Sequence, residues 1–155
     1  QINAMQPRTF EAEYRAYQWL NEYANGKGKI LVASPDAYFA EAISGLQSIT
    51  SPVRPQDHIN IIYWSDEDEA YAKLKEYNID YIAVTLHYLP IFKDGTFSAR
   101  ASLGYNKKKI PDVKSLQETF LHRMLYSPGG LTRVKQIYQI KWRKVNIGYI
   151  YKVMK

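Results

Sequence analysis

The densest set of chemistry-bearing side chains is the run Asp66-Glu67-Asp68-Glu69, four carboxylates in a row. Carboxylates at suitable spacing hold hard cations, but a calcium loop needs spaced ligands and a central glycine, and both are missing here. Consecutive helical residues also point in different directions, so the run reads as acids placed against the positive end of a helix dipole. Gly26-Lys27-Gly28-Lys29 has the composition of a phosphate loop. It precedes a strand, whereas phosphate loops follow one and open a helix, so it reads as a turn. His58, His87 and His122 lie far apart with no metal-ligating spacing, and no G-x-S-x-G segment presents a nucleophilic serine. The chain has no cysteine, which excludes thiolate zinc sites, disulfides and thiol nucleophiles. No catalytic and no metal-binding residue is therefore assigned.

Charge offers a second kind of chemistry. Glu118 is the last acid, and eight of the 21 Lys and Arg residues follow it, so residues 1–118 carry a net charge of −2 while the whole chain is +6. Arg133, Lys135, Lys141, Arg143 and Lys144 are the candidate anion-binding residues of this C-terminal quarter. A cationic surface of this kind suits phosphate, nucleic acid or a lipid surface; the bland reading is lysines guarding a sheet edge. With 14 Tyr and three Trp, a stacking platform for single-stranded nucleic acid is conceivable. The tyrosines nevertheless recur at core-facing positions along the whole chain, and no RNA-binding motif accompanies them.

The elements that would carry these residues follow from periodicity. The chain has 155 residues, 46% of them hydrophobic, enough for one domain with a substantial core. No apolar run approaches the ~20 residues of a membrane-spanning helix. Residues 1–5 resemble a cloning remnant and 6–155 a single globular unit. Residues 9–24 predict a helix capped by Thr9, with Phe10, Tyr14, Tyr17 and Leu20 as its apolar stripe and Asn25-Gly26 as its stop. Residues 29–33 predict a buried strand. Ser34-Pro35-Asp36 opens a helix that turns Phe39, Ala42, Ile43 and Leu46 inward and ends at Gly45. A loop over 50–58 and a short apolar stretch at 59–64 follow. A helix capped by Ser65 comes next, with Ala70, Leu74 and Tyr77 inward, and then a strand at 79–84. Residues 85–111 are irregular, with a turn at Asp94-Gly95 and a basic tip at Lys107–Lys109. A helix over about 112–126 is stopped by Pro128-Gly129-Gly130. Strict alternation over 133–142 and 145–153 predicts a terminal β-hairpin with one buried and one wet face. The expected fold is mixed α/β (α+β): a small sheet with helices packed on it and a C-terminal antiparallel hairpin.

Three ordered stretches carry a family resemblance. The first runs from Trp19-Leu20 through Gly26–Lys29 and Ile30–Ala33 to Gly45. The second is Asp68-Glu69-Ala70 with Leu74 to Val84. The third is Phe120 to Tyr126, Gly129-Gly130, Val134–Tyr138 and Ile150–Val153. Together they resemble the extracytoplasmic C-terminal domain of polytopic membrane glycosyltransferases, the catalytic subunits of archaeal oligosaccharyltransferases above all. In that family a WWDYG motif after the first strand helps to recognise the acceptor. The corresponding segment here is Ser34-Pro35-Asp36-Ala37-Tyr38, in which only Asp36 fits; both tryptophans and the glycine are replaced. The family's second motif, an Asp with Lys three residues on, is not matched by Asp112-Val113-Lys114.

The resemblance implies a domain that is inactive alone and has no cofactor of its own, on the outer face of a cell membrane. The membrane helices of the same polypeptide would carry the catalytic acids and a divalent metal. Asp36 and Tyr38 become candidate acceptor-binding residues, and the basic hairpin becomes a contact for lipid phosphate or a lipid-linked sugar donor. The alternatives are a non-enzymatic ligand- or partner-binding domain of a membrane protein and, further off, a nucleic-acid-binding domain.

Overall fold

The structure is a computed structural model and describes residues 6–33, 36–64, 66–85, 91–93, 96–98 and 116–155. The expected Ser34-Pro35 and Ser65 helix starts, the Asp94-Gly95 turn, the Lys107–Lys109 tip, His87 and the Asp112–Lys114 segment lie outside them.

Helix α1 (Gln6–Ala24) leads through a turn into β1 (Ile30–Leu31) and then α2 (Ala37–Ser44). Helices α3 (Pro55–Tyr63) and α4 (Glu67–Glu76) precede β2 (Tyr81–Thr85). A separate two-stranded ribbon pairs β3 (Ile91–Lys93) with β4 (Thr96–Ser98). Helix α5 (Phe120–Tyr126) then leads to β5 (Val134–Trp142) and β6 (Val145–Val153). The main sheet has the order β1-β2-β6-β5, with β1 and β2 parallel and the other neighbours antiparallel. This is the mixed α+β architecture expected from the sequence.

Helices cover the sheet on both sides. On one face α1 and α2 pack Ala16, Tyr17, Leu20 and Ala40 against Ile30, Ala83, Ile147 and Ile150. On the other, α3, α4 and α5 pack Ile62, Leu74, Phe120 and Met124 against Leu31, Ile82, Tyr149 and Tyr151. Each of β1, β2 and β6 therefore sends alternate residues into two separate cores. The expectation of a hairpin with one wet face is corrected here: Ile147 to Tyr151 are all buried, because β6 is a central strand between β2 and β5. Register shifts between Gln136 and Tyr138 and between Ile140 and Lys141 also break the strict alternation. The first of them puts Val134 into one core and Ile140 into the other.

Further expectations about the helices change. The loop expected over 50–58 gives way at Pro55, where a missing N–H costs nothing, to α3, which carries most of the apolar stretch 59–64 with Ile59, Ile61, Ile62 and Tyr63 buried and Trp64 as its C-cap. Of the helix expected over 112–126, residues 112–115 lie outside the described residues; the remainder is a 3₁₀ turn at Leu116–Glu118 and an α-helix from Phe120, which Thr119 caps by accepting from the His122 N–H at 3.1 Å. Helix α1 begins at Gln6, so Thr9 lies inside it rather than capping it. Its outer stripe is only half inward: Tyr17 and Leu20 are buried, whereas Phe10 is 52% exposed and Tyr14 38%. In α2 it is Ala40 that is buried, while Ala42 is exposed.

The expected stops do form. Asn25 (φ 55°) and Gly26 (φ 66°) turn the chain out of α1, and Gly45 (φ 80°) ends α2 by donating its N–H to the Glu41 carbonyl. For α4 the cap is Asp66, whose carboxylate accepts from the Asp68 N–H at 2.8 Å.

Candidate functional site

Strand β1 runs out into the start of α2, and a cleft of about 120 Å³ lies at that junction. Ile30, Val32, Ile49, Pro52 and His58 line it, with Tyr38, Ser48 and Ser51 supplying the polar groups. Parallel strand ends are where α/β sheets leave crevices, because the chain must turn away there into a helix. One wall, residues 48–50, is held by a single carboxylate. Glu41 Oε1 accepts from the Ser48 N–H (2.7 Å), the Ile49 N–H (3.0 Å), the Thr50 N–H (3.2 Å) and the Thr50 hydroxyl (3.1 Å). Partial burial raises the Glu41 pKa, but these hydrogen bonds from Ser48, Thr50 and Ile49 outweigh it and leave the group below the ordinary glutamate value.

The opposite wall is α3. His58 is 4% exposed, and burial pushes its pKa down to about 3, so it is neutral near pH 7. A neutral imidazole, aliphatic walls and hydroxyls at the margin suit a small uncharged polar group. The arrangement offers no acid–base pair to reacting atoms, and among the described residues no group of three or more His, Asp or Glu is placed to hold a metal ion.

Asp36 and Tyr38 both stand at this junction. Tyr38 is 74% exposed and lines the cleft. Asp36 occupies the N-cap position of α2, and its side chain makes no cap hydrogen bond. Its negative charge is felt by Tyr17 beneath it: burial first, then Asp36 and Glu13, drive the Tyr17 hydroxyl well above the usual phenol range. The Tyr17 hydroxyl is buried without a hydrogen-bond partner among the described residues.

The five basic candidates do not form one surface. Arg133 lies at the start of β5 and donates from Nε to Asp68 Oδ1 at 2.8 Å, with its guanidinium 5.0 Å from the Tyr71 ring centre. The Glu67 carboxylate accepts from the backbone N–H groups of Thr132 and Arg133 at 3.0 and 2.7 Å. The acidic run thus anchors the start of β5 as well as facing the α4 dipole. Lys135 is directly opposite Lys152 on β6. Lys141, Arg143 and Lys144 gather at the far end of the hairpin, around the turn between β5 and β6.

Sequence reasoning missed His58 as a wall of the cleft, because its segment was expected to be a loop. It also missed Glu41, since nothing local marks a glutamate that reaches 7–9 residues ahead. A Glu four residues before a helix-ending glycine is the faint signal available.

No protein-family model matches this sequence, and no curated protein matches it. Among solved structures, the chain is similar to the C-terminal globular domain of an oligosaccharyltransferase from Archaeoglobus fulgidus. The TM-score is 0.64 at 12% identity, and the match covers 92% of this chain and 96% of that one. At such low identity the likeness is one of fold, and it extends over nearly the whole of both chains.

Proposed function

We propose that this chain is the extracytoplasmic cap of a membrane-embedded, glycosyltransferase-like protein. Its part is to recognise and position an acceptor or a lipid-linked sugar donor, while bond making is left to the membrane portion of the same polypeptide. The observation that carries the reading is the near end-to-end fold likeness to an oligosaccharyltransferase C-terminal domain. The cleft fits a recognition role. Its neutral floor and hydroxyl-bearing margin would receive an uncharged polar group, and the exposed Tyr38 ring would lie along whatever enters. Asp36, at the N-cap of α2 two residues before Tyr38, would then accept a hydrogen bond from a ligand that extends beyond the cleft.

The test is the complete gene and its product. The reading frame ahead of residue 6 is expected to encode several membrane-spanning helices with acidic residues on their outward loops. In the full-length protein, Asp36→Ala is expected to cut transfer while changing the melting temperature little. A frame that begins near Met5 with no apolar spans before it overturns the proposal. One observation favours a second reading, a non-enzymatic partner-binding domain of a membrane protein: of the five motif positions after β1, only Asp36 is kept. Upstream helices whose outward loops lack acidic residues would select it.

A further inference from the structure

We propose that the turn between β5 and β6 is a docking tip for an anionic membrane surface, an inference that rests on the reading above. Three sets of observations meet there.

The first is direction. If membrane helices precede residue 6, the end of the sheet beside the start of α1 faces the bilayer. That end is identifiable. Helix α1 finishes beside the beginning of β2, where the Tyr23 and Tyr81 rings are 6.2 Å apart. It starts beside the end of β1, where Phe10 lies 4.2 Å from Phe39 in the first turn of α2. Thr85, the last residue of β2, pairs with Gly148, so the β5–β6 turn stands at this same end.

The second is composition. Lys141, Arg143 and Lys144 are all exposed, and none is ion-paired among the described residues. Trp142 lies beneath the Arg143 guanidinium, 4.5 Å from its ring centre, and Val145 is 55% exposed. Cations beside a tryptophan and a bare aliphatic side chain are the two-part signal of interfacial binding: charge for the headgroups, apolar surface for the region below them. Phe10 and Tyr38, 52% and 74% exposed, lie at the same end, which also carries Asp36. The opposite end has a different character. There Arg133 is paired with Asp68, Lys155 with Asp80, and Asp66 to Glu69 crowd the start of α4.

The third is strain. Arg143 holds φ at 57° in a two-residue turn, a conformation that Gly or Asn adopts far more readily. An arginine there is a cost to the fold with no return visible in the described contacts beyond the stacking on Trp142.

The experiment is flotation of the 155-residue chain with vesicles of phosphatidylcholine alone and of phosphatidylcholine mixed with phosphatidylglycerol, at low and high salt. Binding is expected to the anionic vesicles only and to fall with salt. Removing Lys141, Arg143 or Lys144 individually is expected to weaken it about fivefold each. Arg143→Gly is the decisive variant, because glycine suits the turn and fold is retained while charge is lost. Arg133→Ala, at the opposite end, is expected to leave vesicle binding unchanged. Equal binding to neutral vesicles, no binding at low salt, loss of binding with Arg133→Ala equal to that with Arg143→Gly, or tighter binding to a single-stranded oligonucleotide than to anionic vesicles would each overturn the proposal. The two readings fail separately: absence of upstream membrane helices removes the premise whatever the vesicles do, whereas their presence without vesicle binding removes only the tip.

Discussion

His58 shows how one buried side chain ties a cleft to the stability of the fold. Its imidazole is buried on the inner side of α3, and burial holds its pKa at about 3, against 6.5 for a solvated histidine. The unfolded chain therefore takes up a proton that the folded chain refuses. The stabilisation is complete above about pH 6.5 and is lost as the pH falls toward the folded value, at about 1.4 kcal/mol per pH unit once protonation of the unfolded form is complete. Between pH 6.5 and 5, carboxylates contribute little to the slope. Denaturant midpoints measured over that range are expected to fall with pH for the parent chain and to stay nearly level for His58→Gln, whatever that variant's absolute stability. An equal slope in both would show that His58 is protonated in the folded state.

At the scale of elements, the pairing of β2 with β6 leaves no room for a side chain at Gly148. Gly148 sits opposite Thr85, and a Cβ built on it would stand 2.9 Å from the Thr85 Cα and run into the Val84 carbonyl. Both obstacles are backbone of a strand packed on both faces, so neither can swing aside. Gly148→Ala is expected to cost about 2–3 kcal/mol and to lower Tm by roughly 5–10 °C by calorimetry. Gly129→Ala and Gly130→Ala, which would meet nothing within 4 Å, are expected to be near neutral. Unchanged melting of Gly148→Ala would mean that the two strands lie further apart than described.

This pairing also marks where the sequence was readable. The β5 and β6 limits stand within a residue of those expected, because alternation and a two-residue turn are local signals. The faces were not readable, since the shift after Gln136 and the central place of β6 depend on what lies across the sheet. Segment 59–64 was ambiguous for a related reason: an apolar run inside a protein reads alike as strand or buried helix, and only Pro55 favoured the helix. Of the candidate cleft, the resemblance pointed to the segment that carries Tyr38, which lines it, and Asp36, which stands beside it at the N-cap of α2. Glu41 and His58 were not accessible, because their partners are distant in sequence or supplied by the fold.

At the scale of the whole molecule, the central question is whether two cores separated by a sheet behave as one. Leu20 in α1 and Leu74 in α4 are both fully buried, on opposite faces, and share no core cluster. The strands between them contribute to both: in β2, Ala83 faces one cluster while Ile82 and Val84 face the other, and β6 does the same with Ile150 between Tyr149 and Tyr151. Neither helical layer can leave without exposing strands on which the other layer rests, so the chain should unfold as one unit. Leu20→Ala and Leu74→Ala are each expected to cost about 2–5 kcal/mol. Each should shift a single transition, with far-ultraviolet circular dichroism and tryptophan fluorescence giving the same midpoint. If Leu20→Ala instead split the melt, with an early step confined to α1 and α2, the α1–α2 layer would be a separate unit. The end of the molecule proposed to face a membrane, which begins with that helix, could then open without unfolding the rest.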